Sequence, residues 1–288
     1  MRVPVRLVAV ALVAAVTGVH AQAIPDTLQV RQVQREATRL DGDAKYAEAR
    51  VIWQRLIDEA PDAAGKASGQ RQMAMSYGFE GDCAGTVRYE QLVIDYWKTR
   101  ETAEPQNAFY QQGEMTNEAA RVCIDAGDLD RAERLYRLGY ELGNKEPAPR
   151  THPRSLWDFR LAHALGRLAA RRSNKGEAER QVTEARWILD SDSAMAGAQG
   201  RFFSYLVGYV ALYTGDLAKA ETTLAGALTL RGNERDPFLH CLLGMTYEQM
   251  GQGEKARALY QKAYDLATGH NPPAAFARPF ARRKLAGG

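Results

Sequence analysis

Apolar residues near the C-terminal end of the chain recur at the spacing of an amphipathic α-helix. Leu239, Leu243, Tyr247 and Met250 fall at i, i+4, i+8 and i+11, so they share one helix face. The Asp236–Pro237 pair before them predicts a helix start, because aspartate caps a first turn and a proline there lacks only an N–H that would have no partner. The pattern therefore predicts one helix that ends at the glycines following Met250.

A second helix is predicted after the Gly251–Gly253 turn, where Ala256, Tyr260 and Ala263 share one face. Gly244 in the first helix and Ala256 in the second are small at positions where two antiparallel helices must approach closely. A larger side chain at either position would overpack the contact at a cost of about 1–3 kcal/mol. The two helices are therefore predicted to form a hairpin.

This hairpin resembles the tetratricopeptide repeat (TPR), whose signature is L-G-x₂-Y followed by A-x₃-F. The residues that carry the resemblance are Leu243, Gly244, Tyr247, Ala256, Tyr260 and Ala263. Two positions depart from the signature, since His240 replaces its leading Trp and its closing Pro is replaced near Thr268. The resemblance implies an all-α, right-handed α-solenoid in which the first helix of each hairpin lines a concave groove.

The same pattern of small residues extends along the chain. Gly208 and Ala220 precede Gly244 and Ala256 by the same offset, so both helices of that hairpin shift together. We predict about six TPR-like helix hairpins within residues 24–270, at about 27–61, 66–98, 106–144, 153–190, 195–231 and 236–268. The positions expected to pack these helices together are Ala49, Ala132, Gly166, Ala178, Gly208, Ala220, Gly244 and Ala256.

The C-terminal residues 271–288 follow the last predicted repeat. They carry apolar and basic residues, and Pro279 is expected to interrupt any helix there. A terminal repeat otherwise leaves its apolar face uncovered. We expect this segment to be either a capping segment or a flexible tail.

The N-terminal residues 1–23 have the pattern of a secretory signal peptide. Arg2 and Arg6 precede an apolar run from Leu7 to Val16, and small residues suited to cleavage follow. The run is too short for a membrane span, and no cysteine near the cleavage position offers a lipid anchor. We expect an exported protein of the bacterial periplasm or exterior, with no membrane span in the mature chain.

Charge and cysteine content narrow the function further. The formal net charge of +3 falls to near +1 without Arg2 and Arg6, which does not support nucleic-acid binding. The cysteines at positions 83, 123 and 241 are too few for a disulfide scaffold. Export permits one disulfide between Cys83 and Cys123, with buried or free thiols as the alternative.

No motif in the chain indicates a catalytic or cofactor site. The Gly251-x-Gly253-x-x-Ala256 segment matches the dinucleotide-binding pattern formally, but a predicted helix precedes it where that chemistry needs a strand. The four histidines after residue 23 lack the spacing of zinc ligands. We therefore expect a non-enzymatic protein without metal or cofactor; catalytic residues assembled across repeats are the less favoured alternative.

The resemblance makes the first helices of the hairpins the candidate binding surface. A basic stripe in the fourth hairpin and an aromatic stripe in the fifth recur at i, i+3, i+7 and i+11. The candidate groove residues are Asn117, Arg121, Arg160, His163, Arg167, Arg171, Phe202, Tyr205, Tyr209, Tyr213, Phe238 and Met245. Guanidinium groups hold carboxylates bidentately, and tyrosines offer large, rigid contact area. We expect a scaffold that binds a protein or peptide segment. The alternative is a glycan or another small envelope ligand stacked on the tyrosines.

Overall fold

The computed structural model of the chain describes residues 27–287, with side chains from residue 29 onward. The predicted signal peptide lies outside these residues. The described part contains thirteen α-helices and no strand, which confirms the prediction of an all-α solenoid of helix hairpins. The helices are α1 (Thr27–Gly42), α2 (Tyr46–Asp58), α3 (Ala63–Glu80), α4 (Cys83–Lys98), α5 (Pro105–Ala126), α6 (Leu129–Asn144), α7 (Arg154–Arg171), α8 (Lys175–Ser191), α9 (Ser193–Tyr213), α10 (Leu217–Leu228), α11 (Pro237–Gln249), α12 (Gly253–Leu266) and α13 (Pro272–Leu285).

A recurring Gly-Asp pair forms the turn of three hairpins. Gly81, Gly127 and Gly215 adopt φ of 81°, 91° and 84°, a left-handed conformation that glycine adopts without steric cost and that ends a helix. The aspartate after each glycine then accepts a hydrogen bond from a backbone N–H in the first turn of the next helix. Each pair thus ends one helix and starts the next.

The first helices of the hairpins form an inner layer. Besides their neighbours in sequence, α1 contacts α3, α7 contacts α9, and α9 contacts α11. The even-numbered helices contact mainly the helices next to them in sequence. The inner layer of the solenoid is therefore built from the odd-numbered helices.

Small residues occupy the contacts between the helices of each hairpin. The alanines at positions 49, 132, 178, 220 and 256 are buried. A methyl group added at Gly208 would lie 2.6 Å from Leu224, and one at Gly244 would lie 2.6 Å from Tyr260. At Gly166 the nearest atom, on Leu206, would lie at 3.2 Å, so this position is less crowded.

Helix α13 runs back across the inner layer. It contacts α11 and α12 of the last hairpin, and also α1, α3 and α5 near the other end of the solenoid. Its buried side is made of small residues, among them Ala274, Ala277 and Ala281. The expectation that Pro279 interrupts a helix is wrong, because α13 continues through it. Close packing of this small-residue side offsets the hydrogen bond that the proline cannot donate.

A disulfide joins the second and third hairpins. Cys83, the first residue of α4, is bonded to Cys123 near the end of α5, with an S–S distance of 2.01 Å. Cys241 on α11 is buried and unpaired. The sequence left open a disulfide or separate thiols at Cys83 and Cys123, and the structure shows the disulfide.

Candidate functional site

A cavity of about 290 Å³ lies on the inner layer among α5, α7, α9 and α11. We call it the central cavity. Eight of the groove residues expected from sequence line it: Asn117, Arg121, Arg160, His163, Arg167, Phe202, Tyr205 and Phe238. The repeats therefore bring together side chains from four different hairpins around one space.

Arg167 lies buried at the centre of this arrangement, with 4% of its surface exposed. Its two terminal nitrogens donate hydrogen bonds to the hydroxyls of Tyr205 at 3.0 Å and Tyr136 at 2.8 Å. Burial raises the pKa of Tyr205 to about 12, so this hydroxyl stays protonated. The Nε of Arg167 has no hydrogen-bond partner among the described residues. A buried guanidinium thus keeps one donor unused.

Arg121 is the second arginine with an unused donor. Its Nε donates to the Asp125 carboxylate at 3.1 Å, and its guanidinium stacks over the Phe238 ring at 4.0 Å from the ring centre. Burial raises the pKa of Asp125. The Nη2 of Arg121 is buried and has no partner in the described part of the chain. Two arginines that line the same cavity therefore each keep one buried donor without a partner among the described residues.

The acidic residues on the cavity wall are each engaged. Glu114 forms an ion pair with Arg160, and Glu118 forms one with Arg71 of α3. Asp236 accepts the backbone N–H of Phe238 at 2.8 Å as the cap of α11. Among the described residues no carboxylate pairs with Arg167, whose contacts are the two tyrosine hydroxyls. Its positive charge is thus the one on this wall without an anionic neighbour in direct contact.

His163 is neutral in this environment. Burial, and then the nearby charge of Arg167, lower its pKa well below the usual value. Its Nε2 lies 3.2 Å from the backbone carbonyl oxygen of Phe202, so the neutral ring donates its proton there. The histidine therefore joins α7 to α9 and adds no charge to the cavity.

Four of the expected groove residues lie outside the central cavity: Arg171, Tyr209, Tyr213 and Met245. Tyr209 is 1% exposed and belongs to the apolar core between α9, α10 and α11. Arg171 stacks over Tyr213, with 5.1 Å between the guanidinium carbon and the ring centre. Met245 packs against the cores on either side of α11. The stripes of α7 and α9 thus contact each other over much of their length.

Sequence reasoning missed eight residues of the cavity wall. They are Glu114, Glu118, Tyr136, Phe159, Gln199, Asp236, Pro272 and Pro273. Glu114 and Glu118 precede Arg121 by seven and three residues on α5, so extending that helix face would have found them. Pro272 and Pro273 begin α13, and no local signal places that helix beside α5.

Comparison with known protein families identifies a repeat in the C-terminal hairpin, where the pattern of small and apolar residues is clearest. A family model of the tetratricopeptide repeat matches residues 239–270. The chain therefore contains a tetratricopeptide repeat at the hairpin of α11 and α12, an element of solenoids that present concave binding surfaces. The repeat indicates a protein-interaction scaffold.

The crystal structure of BtubC (BKLC) from P. vanneervenii is similar to this chain over 82% of this chain and 90% of that one, with 15% sequence identity and a TM-score of 0.40. A search of curated protein sequences finds no match.

The described residues contain neither a metal-binding cluster nor a membrane-spanning helix. No group of three or more His, Cys, Asp or Glu side chains there is arranged to hold a metal ion. No helix in the same part of the chain is both long and apolar enough to span a membrane.

Proposed function

We propose that this protein is an exported, non-enzymatic scaffold that binds a segment of another protein at the central cavity. The segment inserts an acidic side chain, whose carboxylate is held by the guanidinium groups of Arg121 and Arg167. The observation that carries the proposal is the pair of buried N–H donors, Arg167 Nε and Arg121 Nη2, that lack a partner among the described residues. Buried polar groups are usually satisfied, so a carboxylate that draws either guanidinium toward the cavity would supply the missing acceptor.

The size of the cavity limits what enters it. A volume of about 290 Å³ is at the lower end of the range of ligand pockets, which run from about 300 to 1,000 Å³. It accommodates one or two side chains, whereas α13 occupies the inner layer next to it. The partner therefore contributes an extended segment or a loop, with its acidic side chain inside and the rest of the segment across the rim.

The geometry favours a peptide over a glycan. The glycan hypothesis relied on a stack of Tyr205, Tyr209 and Tyr213, but only Tyr205 lines the cavity. Tyr209 is buried in the core, so its ring face is not available to a sugar. The neighbouring wall instead offers guanidinium donors, which suit a carboxylate.

A peptide-display selection tests the proposal with purified protein. We expect the selected peptides to carry Asp or Glu at one fixed position. Replacing that residue by Asn or Gln in a synthetic peptide should weaken binding about tenfold or more in calorimetry, because a hydrogen bond to a charged group contributes about 1.5–3 kcal/mol. This change leaves the protein untouched, so loss of affinity cannot come from misfolding.

Matched protein variants locate the site. Arg121→Gln should weaken the selected acidic peptide about tenfold, whereas Arg180→Gln on the exposed side of α8 should bind like the wild type. Arg121→Lys, which keeps the charge but not the fork of donors, should give an intermediate affinity. Peptides without an acidic preference, or equal binding by all three variants, would count against the central cavity as the binding site.

Export is a separate part of the proposal. The disulfide between Cys83 and Cys123 supports it, because disulfides persist mainly in oxidising compartments. The signal-peptide pattern of residues 1–23 supports it independently. Fractionation of cells that express the chain, with N-terminal sequencing of the product, should find the protein outside the cytoplasm and cut near residue 23. Uncut protein in the cytoplasm would contradict this part.

A further inference from the structure

A second and larger cavity lies where the two ends of the described chain meet. We call it the junction cavity; its volume is about 610 Å³, and α1, α3, the loop at residues 267–270 and α13 contribute to its wall. Four arginines line it: Arg31, Arg35, Arg39 and Arg278. Among residues 27–287, no Asp or Glu lines it. Its lining within the described residues is therefore cationic or neutral.

The four arginines differ in how their charge is compensated. Arg39 pairs with Glu36 and Asp43, each at 2.7 Å. Arg278 donates to the backbone carbonyls of Tyr264 at 2.9 Å and Gly42 at 3.3 Å, and it lies 3.7 Å from the Asp43 carboxylate. These contacts hold the two arginines in place and partly compensate their charges.

Arg31 and Arg35 have no such compensation within the described part of the chain. They are exposed, and no carboxylate of the described residues pairs with either. They stand one turn apart on the same face of α1, where like charges repel each other. A bound anion between them would remove that repulsion and accept bidentate bonds from both.

The floor of the cavity is built from stacked rings and hydrogen bonds around His270. The His270 ring lies between Trp53 and Phe79, with ring centres 5.0 and 5.3 Å away. Its Nε2 is 2.9 Å from the Asp41 carboxylate, and its Nδ1 is 2.6 Å from the Gln72 side chain. Asp41 is itself buried beneath the floor, where it also accepts from Trp53 and Ser76. Its charge is therefore engaged below the cavity and does not face a ligand.

We propose that the junction cavity binds a small molecule that carries two or more negatively charged oxyanion groups, phosphate or carboxylate. One group is held between Arg31 and Arg35 of α1, and another approaches Arg278 of α13. The volume lies within the range of small-molecule pockets. Guanidinium groups match the geometry of both phosphate and carboxylate, so the shared chemistry is a multiply charged oxyanion.

Such a ligand would join the two ends of the solenoid. Arg31 and Arg35 belong to the first helix of the described chain, whereas Arg278 belongs to the last. Binding would therefore hold α13 against α1. We expect slower amide hydrogen exchange in α13 when the ligand is present. This proposal does not depend on the function proposed for the central cavity, whose residues are different.

Calorimetry with two probes tests the proposal. Pyrophosphate and citrate are titrated separately into the purified protein at an ionic strength of about 0.15 M, where surface charges are largely screened. We expect at least one probe to bind at one site per chain. The Arg31→Gln/Arg35→Gln double variant should lose about tenfold or more in affinity, since it removes charged donors on an exposed helix face that the fold does not use.

The control is Arg55→Gln, which removes an exposed arginine from α2 outside the cavity. It should bind the probe like the wild type. Tighter binding of pyrophosphate assigns the site to phosphates, and tighter binding of citrate assigns it to carboxylates. The proposal is overturned if neither probe binds, if the double variant binds like the wild type, or if the control loses as much affinity as the double variant.

Discussion

The central cavity and the junction cavity are both lined by arginines, yet they are built in different ways. The central cavity is formed mainly by helices of the third to sixth hairpins, and its Arg167 is buried among tyrosine hydroxyls. The junction cavity is formed by parts that lie far apart in sequence, with Arg31 and Arg278 on its wall. The first depends mostly on contacts between nearby repeats, whereas the second exists only because the chain closes on itself.

This difference separates two sources of stability. Contacts between adjacent hairpins repeat along a solenoid, so losing one leaves its neighbours in place. The contact of α13 and its preceding loop with α1 and α3 is not repeated elsewhere in the described chain. It relies on a few long-range contacts, such as those of His270 with Asp41 and Gln72. Substitutions at the junction should therefore loosen α13 and α1 together, whereas substitutions between hairpins should act locally.

The largest effect is expected for His270→Ala. It removes a ring packed between two aromatic side chains and leaves the Asp41 carboxylate, which is fully buried, without one partner. We expect a loss of about 3–5 kcal/mol in the free energy of unfolding, measured by urea denaturation. Hydrogen exchange in α13 and α1 should accelerate more than exchange in α9.

The control for this prediction lies in the same loop. Thr268 is exposed, so Thr268→Ala should change the free energy of unfolding by no more than about 0.5 kcal/mol. If His270→Ala left the exchange of α13 at the wild-type rate, closure of the solenoid would not depend on the buried histidine.

The difference between local and long-range contacts also determines how much of the fold could be predicted from the sequence. The hairpins follow from local signals: the capping aspartates, the left-handed glycines and the small residues at helix contacts recur at regular offsets. The path of α13 cannot be predicted from such local signals. The contacts of Arg278 with Gly42 and of His270 with Asp41 depend on the curvature accumulated over the repeats. A local sequence pattern does not contain the total curvature of the solenoid.

The candidate site shows the same limit on a smaller scale. The resemblance to the tetratricopeptide repeat predicts the helix faces of Arg167 and Tyr205, and both side chains do line the central cavity. The hydrogen bond between these two side chains depends on the angle between α7 and α9. The spacing of residues along one helix gives no information on that angle. For the same reason the burial of Tyr209 could not be predicted: an aromatic side chain at helical spacing fits both a core and a groove.

Removing the disulfide tests whether a contact between neighbouring hairpins acts only locally. The Cys83→Ser/Cys123→Ser variant should lose about 2–4 kcal/mol in the free energy of unfolding, because the bond spans a sequence separation of 40 residues. Exchange should accelerate in α4 and α5, with α1 less affected. The wild type under reductant should match this variant, and Cys241→Ala should keep the wild type's sensitivity to reductant. A stability unaffected by reductant would contradict the prediction.

A pair of glycine substitutions compares a crowded helix contact with an open one. Gly208→Ala places a methyl group 2.6 Å from Leu224, so we expect a loss of about 1–3 kcal/mol. Gly226→Ala on α10 meets no atom within 4 Å and should gain about 0.5–1 kcal/mol, because alanine favours the helix. Thermal denaturation of both variants measures the difference. A shift of the same sign in both would mean that close packing at Gly208 does not control the α9–α10 contact.

The smallest effect concerns Glu90 on α4, behind the wall of the central cavity. Its side chain is buried, and neither carboxylate oxygen has a hydrogen-bond partner among the described residues. Burial, and then the charge of Glu118, raise the pKa of Glu90 well above its usual value. The folded protein therefore holds a proton here at pH values where the unfolded chain has already lost it.

The direction of the pH dependence follows from this proton. Unfolding releases it, so the stability that Glu90 contributes is fully present below its ordinary pKa of 4.5 and declines as pH rises through the folded-state value. Glu90→Gln cannot titrate, so its free energy of unfolding should fall less steeply with pH, although Glu114 and Asp125, whose pKa values burial also raises, keep part of the slope. Urea denaturation from pH 4 upward measures the slope, with Glu179→Gln on the exposed side of α8 as the control that should keep the wild-type value. Equal slopes in Glu90→Gln and the wild type would mean that Glu90 is ionised in the folded protein. In that case the nearby charge of Arg71, which lowers the pKa of Glu90, would outweigh burial and the charge of Glu118.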